Sequence, residues 1–208
     1  MYQLLDFILH IDQQLVAIIA TYGTSTYAII FAIIFAETGL VITPFLPGDS
    51  LLFAAGALAA TTALDPWPLF LVLTAAAIAG DNTNYWIGRL LGDRLLAAKK
   101  PIINRRYLER AHAFYEKYGP ATVVVARFVP IVRTFAPFAA GVSRMTYRHF
   151  LPYSIGGGVL WIGLFVWGGY FFGNLPVVKA NFELVVLGII AVSVLPPLIE
   201  VLRARTRH

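Results

Sequence analysis

The chain of 208 residues is 59% hydrophobic and only 13% charged, carries a net charge of +5 and has no cysteine. That balance is too apolar for a soluble domain of this length, and it excludes disulfides, thiolate chemistry and cysteine-ligated metals. Of sixteen Lys and Arg, eight lie between Arg89 and Lys117, two more are Arg144 and Arg148, and three are Arg203, Arg205 and Arg207, so the excess marks cytoplasmic loops beside apolar runs, not a nucleic-acid surface.

An all-α, polytopic membrane protein is therefore expected, as a single membrane domain. Residues 1–23 lack the basic, apolar and small-residue order of a cleaved signal. They mix Asp6, His10, Asp12, Gln13 and Gln14 with Leu, Ile and Val, which predicts an N-terminal amphipathic helix, interfacial or partly spanning. In residues 27–62 the apolar arms 27–36 and 50–60 are each too short to cross alone, and Pro44, Pro47 and Gly48 break the chain between them. A re-entrant hairpin dipping from the outer side is predicted. Residues 69–92 are long enough to span. Residues 93–118 are polar and basic; "NRRYLERAHAFYEKYG" aligns Leu108, Ala111, Phe114, Tyr115 and Tyr118 on one helical face behind Asn104 as N-cap. That segment reads equally as a helix on the cytoplasmic headgroups or as a solvated connector.

If residues 119–143 crossed once, Lys117 and Arg144 would lie on opposite sides, against the charge bias. A second re-entrant hairpin, broken at Pro130 and Pro137, keeps both ends cytoplasmic. Residues 150–173 and 182–202 are further transmembrane helices. Two hairpins from opposite faces, each followed by a span, form an inverted-topology repeat, which transporters use to build a midplane site.

Four ionisable residues fall in the hairpins: Glu37 and Asp49 in the first, Arg127 and Arg133 in the second. Charges at the bilayer centre cost about 3 kcal/mol each even on the lenient insertion scale, so they face a cavity or one another. Asp49 is also a natural N-cap for the returning helix, and the ions could simply hold the hairpins together. Two guanidiniums beside broken-helix ends suit a phosphate, with Arg127 and Arg133 as its binding residues. In "AGDNTNYWIGRLLG", Asp81, Asn84 and Tyr85 either line the cavity or form a helix-to-helix hydrogen-bond patch, with Gly80, Gly88 and Gly92 allowing close packing. The histidines are dispersed without ligand spacing, so neither a metal nor another cofactor is expected.

"ETGLVITPFLPGD" and "RFVPIVRTFAPFAAG" resemble the two hairpin motifs of the DedA family, also called SNARE-associated or VTT-domain proteins, and "GDNTNYWIGRLLG" is similar to its middle motif. The likeness covers roughly residues 28–175; Ala126 replaces the usual glycine before the first arginine. The resemblance implies a multi-pass protein of the bacterial cytoplasmic membrane that moves lipids, specifically undecaprenyl phosphate returned to the cytoplasmic leaflet with dependence on the proton motive force. It makes Glu37 and Asp49 the essential acids, as proton-coupling and ion-pairing groups, and Arg127 and Arg133 the essential bases. Partners would be a polyprenyl phosphate or phospholipid and protons; a homo-oligomer stays open. The alternatives are a phospholipid scramblase, a small-oxyanion transporter or, as an enzyme, a lipid-phosphate phosphatase. For the last, "SRMTYRH" is a faint match that lacks its Ser-Gly-His partner.

Overall fold

A computed structural model describes residues 11–40, 48–97, 119–182, 184–189 and 191. Every regular element among these residues is helical. The turn holding Pro44 and Pro47, the basic segment 98–118 and most of the expected span 182–202 lie outside the described residues.

Helix α1 (Ile11–Tyr22) leads through a single 3₁₀ turn, Gly23–Ser25, into α2 (Thr26–Gly39). Gly23 takes the left-handed conformation at φ 52° that the turn requires, which an L side chain resists. The expected boundary between an amphipathic helix and a hairpin arm is therefore only a turn. Leu15–Gly39 makes a 25-residue run containing an 18-residue stretch of mean hydropathy 1.8, long and apolar enough to cross a bilayer. The sequence sets residues 1–23 apart because Asp6, His10, Asp12, Gln13 and Gln14, all ahead of Leu15, give that segment an amphipathic character.

α3 (Gly48–Ala59) and α6 (Pro130–Val142) are the helices that leave the two breaks. At 12 and 13 residues they rise about 18 and 20 Å, too short to span. α6 follows the five-residue α5 (Thr122–Ala126), itself preceded by a 3₁₀ turn at Gly119–Ala121. Between α5 and α6 the chain does break at Pro130: Val129 is extended (φ −118°, ψ 103°) and the proline opens α6, where its missing N–H costs nothing. Pro137, expected as a second break, instead lies inside α6. Such interior prolines are tolerated in membrane helices, where neighbouring groups re-satisfy the backbone freed by the missing N–H. α6 ends where Arg144 takes φ 57° and the N–H of Met145 reaches back to Ala140 O.

The long helix α4 (Pro66–Ala97) contains the expected span 69–92 and extends it at both ends, and α7 (Tyr147–Phe172) covers all but the last residue of the expected span 150–173 and starts three residues earlier. The extra turn of α4 follows from Asp65, whose Oδ1 accepts the N–H of Trp67 at 2.9 Å in front of Pro66. Each long helix carries aromatics near both ends. Trp67 packs edge-on against Trp167 at 5.0 Å, and Trp86 against Tyr147 at 5.7 Å. Along α4 the two tryptophans are about 28 Å apart, and along α7 Tyr147 and Trp167 about 30 Å, the thickness of a hydrocarbon core. Among the described residues, α7 and Leu15–Gly39 are the two helical stretches long and apolar enough to cross a bilayer. α8 (Pro176–Ala180) is a short helix after the second of them.

The chain sorts into two compact units: Met1–Ile33, Phe45–Ala75 and Leu160–His208 in one, Ile34–Pro44 and Ala76–Val159 in the other. In the first, α1 and α3 pack together, and α3 lies against the C-terminal half of α7. A Cβ at Gly56 would strike the Val166 carbonyl, and one at Gly169 the Phe53 carbonyl. In the second, α6 lies against the C-terminal half of α4 by the same device. Gly88 faces the Phe138 carbonyl and Gly141 the Tyr85 carbonyl, each with no room for a methyl group. The helix leaving each break thus packs on the long helix of the other half-chain, backbone to backbone through glycine.

Candidate functional site

The second unit holds two buried ion pairs. Glu37 stands in the last turn of α2 and Arg133 in the first turn of α6; Arg133 Nη2 donates to Glu37 Oε1 at 2.5 Å. They are 0% and 4% exposed. A carboxylate at a helix C-terminus and a guanidinium at an N-terminus each sit where the macrodipole disfavours them, so the pairing offsets two adverse fields at once. An anion placed at the start of α6 would gain from the Arg133 guanidinium and from the positive end of the helix dipole, where the N-cap residue Val129 makes no side-chain cap.

Arg127 occupies the break itself, immediately after α5. Its Nη2 is ion-paired with Asp81 Oδ2 of α4 and donates to the Ser154 carbonyl of α7 at 3.1 Å. The Ser154 hydroxyl donates to the same Asp81 oxygen at 2.8 Å. Gly157 and Gly158 make room for the arginine: a Cβ at Gly157 would come within 3.0 Å of Arg127 Nε. Arg127 and Asp81 are each 2% exposed.

Asn84, one helical turn beyond Asp81, joins the chain segments that carry the first pair. Its amide donates to the carbonyls of Thr38 at 3.2 Å and Thr134 at 2.6 Å. Those threonines directly follow Glu37 and Arg133 in sequence. Turned over, the carboxamide would aim its oxygen at two carbonyls, so the hydrogen bonds determine its orientation. Gly39 and Gly80 let α2 and α4 approach this closely; a Cβ at Gly39 would lie 3.2 Å from Gly80 Cα.

Two further candidates remain. Tyr85, expected to line a cavity or to join a helix-to-helix hydrogen-bond patch, is core: its ring stacks on Phe150 at 4.6 Å, and its hydroxyl donates to Met145 O at 2.5 Å while accepting from Arg89. Large aromatics with a satisfied hydroxyl bury well, which its polar neighbours in sequence concealed. Asp49, expected as a proton-coupling or ion-pairing acid and alternatively as an N-cap, stands in the first turn of α3, which begins at Gly48. It belongs to the first unit, where it accepts the Trp161 indole N–H at 2.8 Å, and its charge is favoured near the helix N-terminus. Sequence reading did not single out Ser154, Trp161 or Gly157. The signals were present: a serine and a tryptophan on an apolar helix need a partner, and "IGGG" is a gap awaiting a side chain.

The pairs are packed shut, with no charge lining the groove of about 480 Å³ formed by Asn82, Thr83, Trp86, Ile87, Leu90 and Leu91. Among the described residues no cluster of His, Asp and Glu could hold a metal ion. What the arrangement offers is charge exchange. Each guanidinium is held by a carboxylate that an incoming oxyanion can replace.

Comparisons with known proteins give the family. The VTT domain matches over residues 46–192. The chain is 54% identical over 205 residues to "Protein DedA" of Escherichia coli strain K12, covering 97% of this chain and 94% of that protein. It is 45% identical over 168 residues to an uncharacterized membrane protein of Mycobacterium leprae, covering 80% and 75% of the two chains. Against "Inner membrane protein YghB" of Escherichia coli strain K12 identity is 34% over 177 residues, or 85% and 78%. No solved structure matches.

Proposed function

This chain belongs to the DedA family of VTT-domain membrane proteins, and from that premise we propose that it is a secondary transporter carrying a lipid phosphate, undecaprenyl phosphate, to the cytoplasmic leaflet of a bacterial inner membrane. The observation that carries the reading is that Arg127 and Arg133, both buried, are each ion-paired with a buried carboxylate beside the break at Pro130. Phosphate oxygens match guanidinium geometry as well as carboxylate oxygens do, so substrate and acid exchange at one donor. Glu37, displaced from Arg133, binds a proton, and Asp49 is the second proton-binding acid, which couples the movement to the proton gradient. The breaks lie at membrane depth as re-entrant hairpins, and the basic loops and C-terminus face the cytoplasm. Taking the headgroup past buried guanidiniums spares its charge from hydrocarbon while the tail stays in lipid.

The test is movement of labelled polyprenyl phosphate across proteoliposome membranes under an imposed proton gradient. Wild type moves it, and the Arg127→Ala, Arg133→Ala double variant does not; equal rates in the two overturn the reading. Transport of ordinary phospholipid at the same rate, without a gradient, would assign a scramblase, and inorganic phosphate accepted in place of the lipid a small-oxyanion carrier. Release of inorganic phosphate from the lipid would assign a phosphatase.

A further inference from the structure

We propose that Asp81 is a third proton-binding acid of the transport site, protonated when substrate phosphate draws Arg127 away from it. The inference rests on the phosphate-transport reading and names a residue and a step which that reading does not contain.

In the closed arrangement Arg127 and Asp81 neutralise each other where neither reaches solvent. Ser154 completes the site from α7, its hydroxyl on Asp81 Oδ2 and its carbonyl accepting from Arg127 Nη2. The charged groups acting on Asp81 are Arg127, from the break after α5, and, farther off, Arg133 of α6, which is itself held by Glu37. α7 contributes only the neutral serine to the carboxylate among these contacts.

When a phosphate oxygen takes Arg127 Nη2, two things happen at once. Asp81 loses its neutralising charge in a dry site, where an isolated carboxylate is strongly disfavoured. The Ser154 carbonyl loses its donor. One proton on the carboxylate answers both, because the new Asp81 O–H can be donated to the carbonyl that Arg127 vacated. The balance is simple: a guanidinium hydrogen bond passes from carboxylate to phosphate, and one proton from water passes to the carboxylate. The phosphate charge is matched by Arg127 and the acid ends neutral. Phosphate binding and proton binding therefore favour one another at this position.

The experiment is a binding titration of purified full-length protein in detergent with a fluorescent short-chain polyprenyl phosphate, repeated across a range of pH, with inorganic phosphate run in parallel to separate a lipid headgroup from the free ion. In wild type, affinity falls as pH rises because a proton must be taken up. Asp81→Asn, an isosteric stand-in for the protonated acid, releases Arg127 from its competitor. It is expected to bind about tenfold tighter at the alkaline end, and its pH slope is smaller by about one proton. Ser154→Ala weakens the hold on the ionised acid and shifts affinity the same way, with the slope kept. A purely structural Asp81 would change the yield of folded protein and leave the slope of the folded fraction alone. If both variants keep wild-type affinity and slope while Arg127→Ala abolishes binding, the role of Asp81 is overturned and the transport reading stands. If wild type binds neither probe, or Arg127→Ala binds as wild type does, both are overturned. Should Asp81→Asn fail to fold, Ser154→Ala decides alone, unchanged affinity counting against the inference.

Discussion

Asn84 shows how much can depend on one uncharged side chain. Its two amide hydrogens are shared between the carbonyls that follow Glu37 and Arg133, so it sets the spacing of the ion pair without touching either charge. Asn84→Ala removes both hydrogen bonds at about 1 kcal/mol each and is expected to lower stability by about 2 kcal/mol. Asn84→Asp is expected to be worse than alanine, because it turns two attractions into repulsions with carbonyl oxygen. Thermal unfolding in detergent orders the three proteins, and transport by the alanine variant should fall further than its loss of folded protein explains. Breaking the pair itself is harsher. Glu37→Ala leaves Arg133 buried and uncompensated, a loss of about 3–5 kcal/mol, whereas Glu37→Ala with Arg133→Ala together is expected to be milder than either alone. A double-mutant cycle measured by unfolding checks this, and additivity would show that the two residues do not act as a pair.

At the scale of elements, glycine governs which helices can meet. α3 on α7 and α6 on α4 touch backbone to backbone at Gly56, Gly169, Gly88 and Gly141, where a methyl group has no space. Gly88→Ala and Gly56→Ala are each expected to destabilise by about 1–3 kcal/mol through overpacking. Gly168→Ala, with nothing near its added Cβ, is the neutral control. Equal melting temperatures for all three variants would refute the contact scheme. This scale also separates what was legible in the chain from what was not. Helix lengths, the break at Pro130 and the presence of ionisable residues in apolar runs follow from local chemistry, and sequence carries them. The partners of those charges do not, because pairing Arg127 with Asp81 and Ser154 brings together residues that no periodicity relates. Pro137 misled for the opposite reason. Its local rule was sound, but a membrane helix tolerates a proline that a soluble helix would not.

At the scale of the molecule, the lengths of α4 and α7 between their aromatic ends make a depth gauge. Asp81 is five residues from Trp86, about 7.5 Å along α4, and Ser154 is seven from Tyr147, about 10 Å along α7. Because the chain has no cysteine, single cysteines can be introduced against a clean background. Cysteines at Trp67 and Trp86 are expected to react with impermeant reagents only from opposite faces, and one at Val129 with neither face while the pairs are closed. Ready labelling of Val129 from one side would remove the break from the bilayer and with it the hairpin arrangement. The crosswise sorting of the two units has a bearing on biogenesis. A ribosome that has made only the first 97 residues has delivered α3 to the membrane without the glycine surface of α7 that receives it, and α4 without α6. The early helices must wait, half-docked, until the last third of the polypeptide emerges, so a nascent chain released too soon offers quality-control proteases two unclosed seams instead of one finished half.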